Sequence, residues 1–236
     1  MNMAGSLFYK IFPVFARRGK TDLSIPLSFS LNDDAIDQLR SEVLDRVLQQ
    51  SPEKKSFILG VTSCEYGEGA YQTALRLAHS FTQIREHVLL IDLDFRSAQI
   101  SRAVFSSKPE SSLNDVLASE NTVLMLETVS AAVCSFENTS LEVLPAVKVA
   151  GNPSGLLEAV FDSALLEKLS EYYDVIVCAL PPAGIYADAS MATRDIDGII
   201  FTVRENYTKR EMIDNVFTQS RILKEKALGF MYYSAV

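Results

Sequence analysis

A chain of 236 residues with 48% hydrophobic and 22% charged residues can build a real core within one large α/β domain. Its formal net charge of −8 argues against general nucleic-acid binding, which works by neutralising phosphates. Cys64, Cys134 and Cys178 are far apart with no CxxC, which fits reduced thiols in a cytosolic protein, and no run of about 18 apolar residues is present to span a membrane.

Residues 1–31 form a segment of their own. The apolar and aromatic run Leu7–Phe15 is broken by Lys10 and Pro13, lacks a signal-peptide core, and is followed by Arg17-Arg18 and a Ser/Pro-containing linker. Two readings stand: docking on an anionic membrane surface or a partner, or a loose terminus whose aromatics pack on the domain. The domain proper is expected over 32–236. Ile36, Leu39, Val43 and Val47 recur at three and four, which predicts a one-faced helix over 33–48, capped by Asn32 or Asp33.

The run Phe57-Ile-Leu-Gly-Val61 predicts a strand, and Ala74, Leu77, Ala78, Phe81 and Ile84 predict a helix. Between them lies Val61-Thr-Ser-Cys-Glu-Tyr-Gly-Glu-Gly-Ala-Tyr-Gln-Thr73, where a phosphate-binding loop belongs. Such a loop reads GxxxxGK[ST]: backbone N–H groups at a helix start cradle phosphate, lysine reaches the β/γ-phosphates, and a hydroxyl holds the metal. Gly69 is in place, but Ala70 stands for the lysine and Tyr71 for the hydroxyl.

Next comes the buried-strand pattern His87–Asp92, ending in Ile91-Asp-Leu-Asp-Phe-Arg96. Asp92 and Asp94 at a strand's C-terminal end face the crevice where open α/β sheets bind ligands, and are candidate Mg²⁺ carboxylates. A short helix is expected near Leu113–Ala118, loop or edge structure over 119–140, a strand at Leu141–Pro145, and a helix opened by Asn152-Pro153 that runs to Leu169. Strands follow at 173–180, 197–204 and 228–233, with one helix over about 208–224. Alternating strands and helices imply parallel βαβ units in a doubly wound, mostly parallel α/β sheet. His79 and His87 lack the spacing of a zinc site, and Asp188 and Asp195 read as caps of following helices or as site loops.

The ordered residues resemble the cytoplasmic kinase domain of bacterial tyrosine kinases of capsule and exopolysaccharide synthesis, within the ParA/MinD-like phosphate-loop class. Val61-Thr-Ser…Gly67-Glu-Gly69 resembles that family's VTSxxPGEGKS, and Val88–Arg96 its LLIDADLR. Leu144-Pro-Ala146, Asn152-Pro153, Tyr173-Asp174, Pro181-Pro182, Asp188-Ala189, Asp197-Gly198 and Val203-Arg204 fall at its other landmarks, so the likeness covers about 33–233. Ala179 takes the acidic place of the family's IIDTPP, and Asp37 reverses the first arginine of its oligomerisation motif EAxRxLR while Arg40 keeps the last. The tyrosine-rich tail that these kinases phosphorylate is not found before Val236; Tyr232 and Tyr233 fall in the last expected strand.

The resemblance implies a vestigial nucleotide site of Gly67, Gly69, Ala70, Tyr71, Gln72 and Arg204, with catalysis lost at Ala70, Tyr71 and Ala179 and with no cofactor or only weak ATP/Mg²⁺ binding. Lys54, Lys55 or Arg96 are the candidate substitutes for the missing lysine. The implied role is binding to a membrane polysaccharide co-polymerase or export protein, or to an active kinase relative, in the cytoplasm or at the inner face of the inner membrane. The alternatives are a divergent ATP-dependent tyrosine kinase and a ParA/MinD-like positioning ATPase. The last is disfavoured by Glu65 and Tyr66 in place of the lysine–glycine pair of that loop.

Overall fold

The computed structural model describes residues 34–119, 121–136 and 139–233. The segment 1–31 and the caps expected at Asn32 or Asp33 lie outside the described residues. In chain order the elements are α1 (Asp34–Gln50), β1 (Phe57–Ser63), α2 (Ala70–Phe81), β2 (Val88–Asp92), α3 (Gln99–Val104), α4 (Leu113–Leu117), α5 (Thr122–Ala132) and β3 (Cys134–Ser135). They continue with β4 (Leu141–Leu144), α6 (Pro153–Asp162), α7 (Leu165–Leu169), β5 (Val175–Ala179), α8 (Asp188–Ala192), β6 (Gly198–Arg204), α9 (Arg210–Gln219), α10 (Arg221–Lys226) and β7 (Ala227–Tyr233).

The seven strands form one sheet in the order β3-β4-β2-β5-β1-β6-β7, parallel except for the antiparallel pair β3–β4. β1, β2 and β5 are buried along their whole length, which is why their sequences are continuous apolar runs rather than alternating ones. One face packs Val43, Val47, Leu77, Phe81 and Ile100 of α1, α2 and α3. The other packs Val116, Val129, Leu157, Leu165, Val216 and Leu223 of α4 to α7, α9 and α10. The sheet is thus a covered middle layer, wound on both faces.

Four local expectations change. The stretch 119–140 contains a full helix, α5, capped by the Asn121 side chain on Leu124 N–H at 3.0 Å, as well as the expected edge strand. The helix expected from 153 to 169 is broken where Ala164 takes a left-handed conformation at φ 53. The one expected over 208–224 is broken at Ser220, which leaves the helical region and caps α10. Helix α3, directly after the acidic strand end, had no periodic signal.

Because β1 and β5 run side by side, their C-terminal ends deliver the loop 64–69 and the loop 180–187 to one edge of the sheet. The second loop continues along β1: Leu180 N–H donates to Val61 O at 2.9 Å, Ala183 to Ser63 O at 2.7 Å and Gly184 to Cys64 O at 3.1 Å. A Cβ on Gly184 would lie 2.5 Å from Cys64 O, so glycine is required for this close approach.

Candidate functional site

Strand β1 ends at Ser63, and the chain turns through Gly67 and Gly69, both at φ 86, before α2 starts at Ala70. The left-handed glycines allow successive N–H groups to converge, and the first turn of α2 has no intrahelical acceptor for its own. The loop therefore keeps the backbone form of an anion nest.

A buried carboxylate braces it from behind. Glu68 is fully buried; its Oε2 accepts from the N–H of Cys64 (2.7 Å) and Glu65 (3.0 Å), and its Oε1 accepts from Thr208 Oγ1 (2.5 Å). The loop after β6 adds two more ties: Arg204 Nη1 donates to Gly67 O at 3.3 Å, and Tyr207 Oη donates to Glu65 Oε2 at 3.0 Å. Arg204 also lies over the Tyr207 ring at 5.2 Å. Glu68, Tyr207 and Thr208 were not singled out in the sequence. Their partners lie about 140 residues away, beyond any local pattern.

The acidic strand end behaves differently from an open metal site. Asp92 is wholly buried; Oδ2 accepts from Ser101 N–H (2.9 Å) and Oγ (2.8 Å), and Oδ1 accepts from Asp94 N–H (3.2 Å). It holds the first turn of α3, and burial raises its pKa to about 7 against those hydrogen bonds. Asp94 accepts from Arg96 N–H and Ser97 N–H, each at 3.1 Å, and from Tyr66 Oη at 3.2 Å. Burial raises the Asp94 carboxyl and, more strongly, the Tyr66 phenol, so the phenol stays a donor.

Ala70, Tyr71, Asp92, Asp94 and Ala179 line one cavity together with Tyr66 and Gly67, so the structure brings these sequence-predicted positions together. The cavity has a volume of about 10 Å³, enough for a single water. Ala179, the last residue of β5, lines it, and Tyr71 packs against the core cluster of that side. Mg²⁺ needs near-octahedral oxygen ligands and keeps several waters. Among the described residues no three His, Cys, Asp or Glu groups gather to hold a metal, so Asp92 and Asp94 alone would supply its protein carboxylates. The turn keeps the backbone form that fits a phosphate, while Asp92 and Asp94 are both engaged by hydrogen bonds within the chain. Gln72, in the first turn of α2, has its buried Oε1 without a hydrogen-bond partner among the described residues.

The candidate lysine substitutes are elsewhere. Lys54 pairs with Asp197 and lies before β1, a strand's length of about 20 Å from the loop. Lys55 sits at that same end. Arg96 is at the correct edge but is bound through Nε to Asp188 Oδ2 at 3.0 Å and through Nη2 to Ser154 Oγ at 2.7 Å. Its guanidinium lies 3.9 Å from the Tyr186 ring centre, and Asp188 thereby acts as an ion-pair partner. On α1, Arg40 turns onto α2, donating to Asp37 Oδ1 at 2.9 Å and Ser80 O at 2.7 Å, so this oligomerisation-motif arginine is bound within the chain.

No protein-family model matches the chain. Tyrosine-protein kinase CpsD of Streptococcus agalactiae serotype III is 28% identical over 178 residues, 75% of this chain and 74% of that protein. CpsD of Streptococcus pneumoniae serotype 4 is 30% identical over 157 residues, 66% of each chain. In fold, the chain superposes on the kinase domain of Escherichia coli tyrosine kinase ETK with a TM-score of 0.69 at 20% identity, over 84% of this chain and 75% of that one. A ParA family ATPase from Chlorobium tepidum gives 0.56 at 16% identity, over 77% and 74%. The ordered motifs, the nest after β1 and these relatives agree, with a fold shared with the ParA family ATPase: the chain belongs to the bacterial tyrosine-protein kinase family that includes CpsD.

Proposed function

We propose that this protein is a catalytically degenerate member of that family, acting by binding in exopolysaccharide synthesis rather than by phosphoryl transfer. One observation carries the reading: three positions that should supply a lysine, a hydroxyl and a carboxylate to one phosphate–metal unit are Ala70, Tyr71 and Ala179, gathered on a cavity of about 10 Å³. Phosphoryl transfer is mostly positioning and electrostatic stabilisation, and loss of a single preorganised donor costs roughly 10²–10³-fold in rate. Three such losses at one unit leave little, although they do not simply multiply.

The partners of this reading are the cytoplasmic end of a membrane polysaccharide co-polymerase or export protein, or an active kinase relative. Among the described residues no helix is long and apolar enough to cross a membrane. Arg40 is bound inside the chain and Asp37 faces it, which favours a mixed assembly over a ring of identical chains. ATP–Mg²⁺ would bind weakly.

A second reading, a divergent ATP-dependent tyrosine kinase, is favoured by the relatives, whose names are those of tyrosine-protein kinases. The two separate in one assay: incubation with ATP–Mg²⁺ and an acceptor peptide bearing a tyrosine cluster, read by phosphotyrosine mass spectrometry. The binding reading expects no phosphotyrosine above a no-protein control. Sustained turnover overturns it in favour of the kinase.

A further inference from the structure

Tyr66 projects from the rim of the loop into the cavity that the acidic strand end closes. We propose that Tyr66 restricts this loop to diphosphates bound without metal, leaving the backbone nest open to two linked phosphates and excluding a third with its cation. The proposal rests on the reading of the loop as a surviving phosphate nest whose metal half is lost.

Space is the first ground. In a phosphate loop the lysine and hydroxyl positions meet the γ-phosphate and the metal. Here those positions, Ala70 and Tyr71, open on the cavity shared with Tyr66, Asp92 and Asp94, which holds about one water. The Tyr66 side chain is one of the walls that narrow this space.

Anchoring is the second. Tyr66 Oη donates to Asp94 Oδ1 at 3.2 Å, and its ring meets Tyr186 edge-on at 6.3 Å. Tyr186 lies under the Arg96 guanidinium, which is fixed by Asp188 and Ser154. The phenol is therefore held from its tip and from its side by residues of two other loops.

Charge is the third. Two carboxylates and no cationic side chain line the cavity, so a γ-phosphate there meets repulsion that neither lysine nor metal offsets. On the other side of the loop Arg204 lies against the Gly67 carbonyl, and Gly67 and Gly69 set the turn that leads into the free N–H groups at the start of α2, the Cys64 and Glu65 N–H groups being taken by Glu68.

The test is calorimetry on the whole protein in EDTA, with ADP, ATP and inorganic pyrophosphate as probes, for the wild type, Tyr66→Phe, Tyr66→Ala and Tyr186→Ala. Wild type is expected to bind ADP and pyrophosphate at least about tenfold more tightly than ATP, with no gain on adding Mg²⁺. Tyr66→Phe keeps the bulk but loses the bond to Asp94, and shifts the ratio towards ATP by less than Tyr66→Ala does. Tyr66→Ala brings ATP to within about threefold of ADP, and Tyr186→Ala moves the ratio the same way by loosening the ring. Wild type binding ATP as tightly as ADP, or an unchanged ratio in Tyr66→Ala, overturns the proposal. Failure of both ADP and pyrophosphate to bind also overturns it, while leaving the degenerate-kinase reading standing. Phosphotyrosine formation would sink that reading instead and leave the measured ratio to decide this one.

Discussion

Replacing Glu68 by alanine removes three hydrogen bonds at once from the brace behind the loop: two from backbone N–H groups and one from a hydroxyl. The Cys64 N–H is left inside a buried segment, while Glu65 and Thr208 are partly exposed and can be rewetted. An unsatisfied buried donor costs about 1–3 kcal/mol, and a hydrogen bond to a charged group contributes about 1.5–3 kcal/mol. Allowing for rewetting, Glu68→Ala should destabilise by about 3 kcal/mol. For a domain of this size that is a fall of roughly 6–12 °C in melting temperature. Glu68→Gln retains one acceptor and should lose only about 1 kcal/mol. Thr208→Val should lose about as much, because Thr208 Oγ1 also accepts from Arg204 N–H at 2.8 Å. The Glu68→Ala, Thr208→Val pair should then cost less than the sum of the single changes, since both remove one shared bond. Thermal melts and urea titrations of the four variants measure all of this. A Glu68→Ala protein melting within about 2 °C of wild type would refute the claim that this carboxylate holds the loop.

Three further outcomes follow from the same geometry. Asp92 has a folded pKa raised to about 7 by burial, so the folded state binds a proton that the unfolded state releases near its ordinary carboxylate range. Its contribution is full below about pH 4 and is lost as pH rises towards 7, by a few kcal/mol; Asp92→Asn should flatten that slope while giving up the bond from Asp94 N–H, and an unchanged pH–stability curve contradicts it. Gly184→Ala forces a Cβ against Cys64 O and should destabilise by about 1–3 kcal/mol in urea titrations, whereas a neutral effect would mean the two loops are not held together. Ala70→Lys with Tyr71→Ser should tighten nucleotide binding measurably in calorimetry without producing phosphotyrosine, because Ala179 still offers no carboxylate; robust phosphorylation would show that Asp92 and Asp94 suffice.

The fold was legible where burial is one-sided or complete. Ile36, Leu39, Val43 and Val47 are all buried along one face of α1, and β2 and β5 are continuous apolar runs because both sheet faces are covered. Helix α5 was missed because its apolar residues surround it, with Val123 and Leu124 exposed opposite a buried Val129; Asn121 as a cap was the available signal. The break at Ala164 has no sequence sign, since alanine adopts a left-handed conformation there without glycine's help. In the site, Ala70 and Tyr71 at the lysine and hydroxyl positions are read from the GxxxxGK[ST] register, and Ala179 at an acidic position only from the family resemblance. Lys54 and Lys55, named as substitutes for the lysine, were misjudged: both precede β1 and so lie a strand's length from the loop after it. The brace by Glu68 and Thr208 and the hold of Tyr66 on Asp94 were not legible, being contacts made only when β6 and β2 bring distant loops together.

The most direct measurement is a calorimetric titration of the wild-type protein with ATP, with and without Mg²⁺. Each missing charge-assisted contact should weaken binding by about one to two decades. The structure leads to the expectation of a dissociation constant far above micromolar that Mg²⁺ does not improve, whereas micromolar binding that depends on Mg²⁺ would contradict the account.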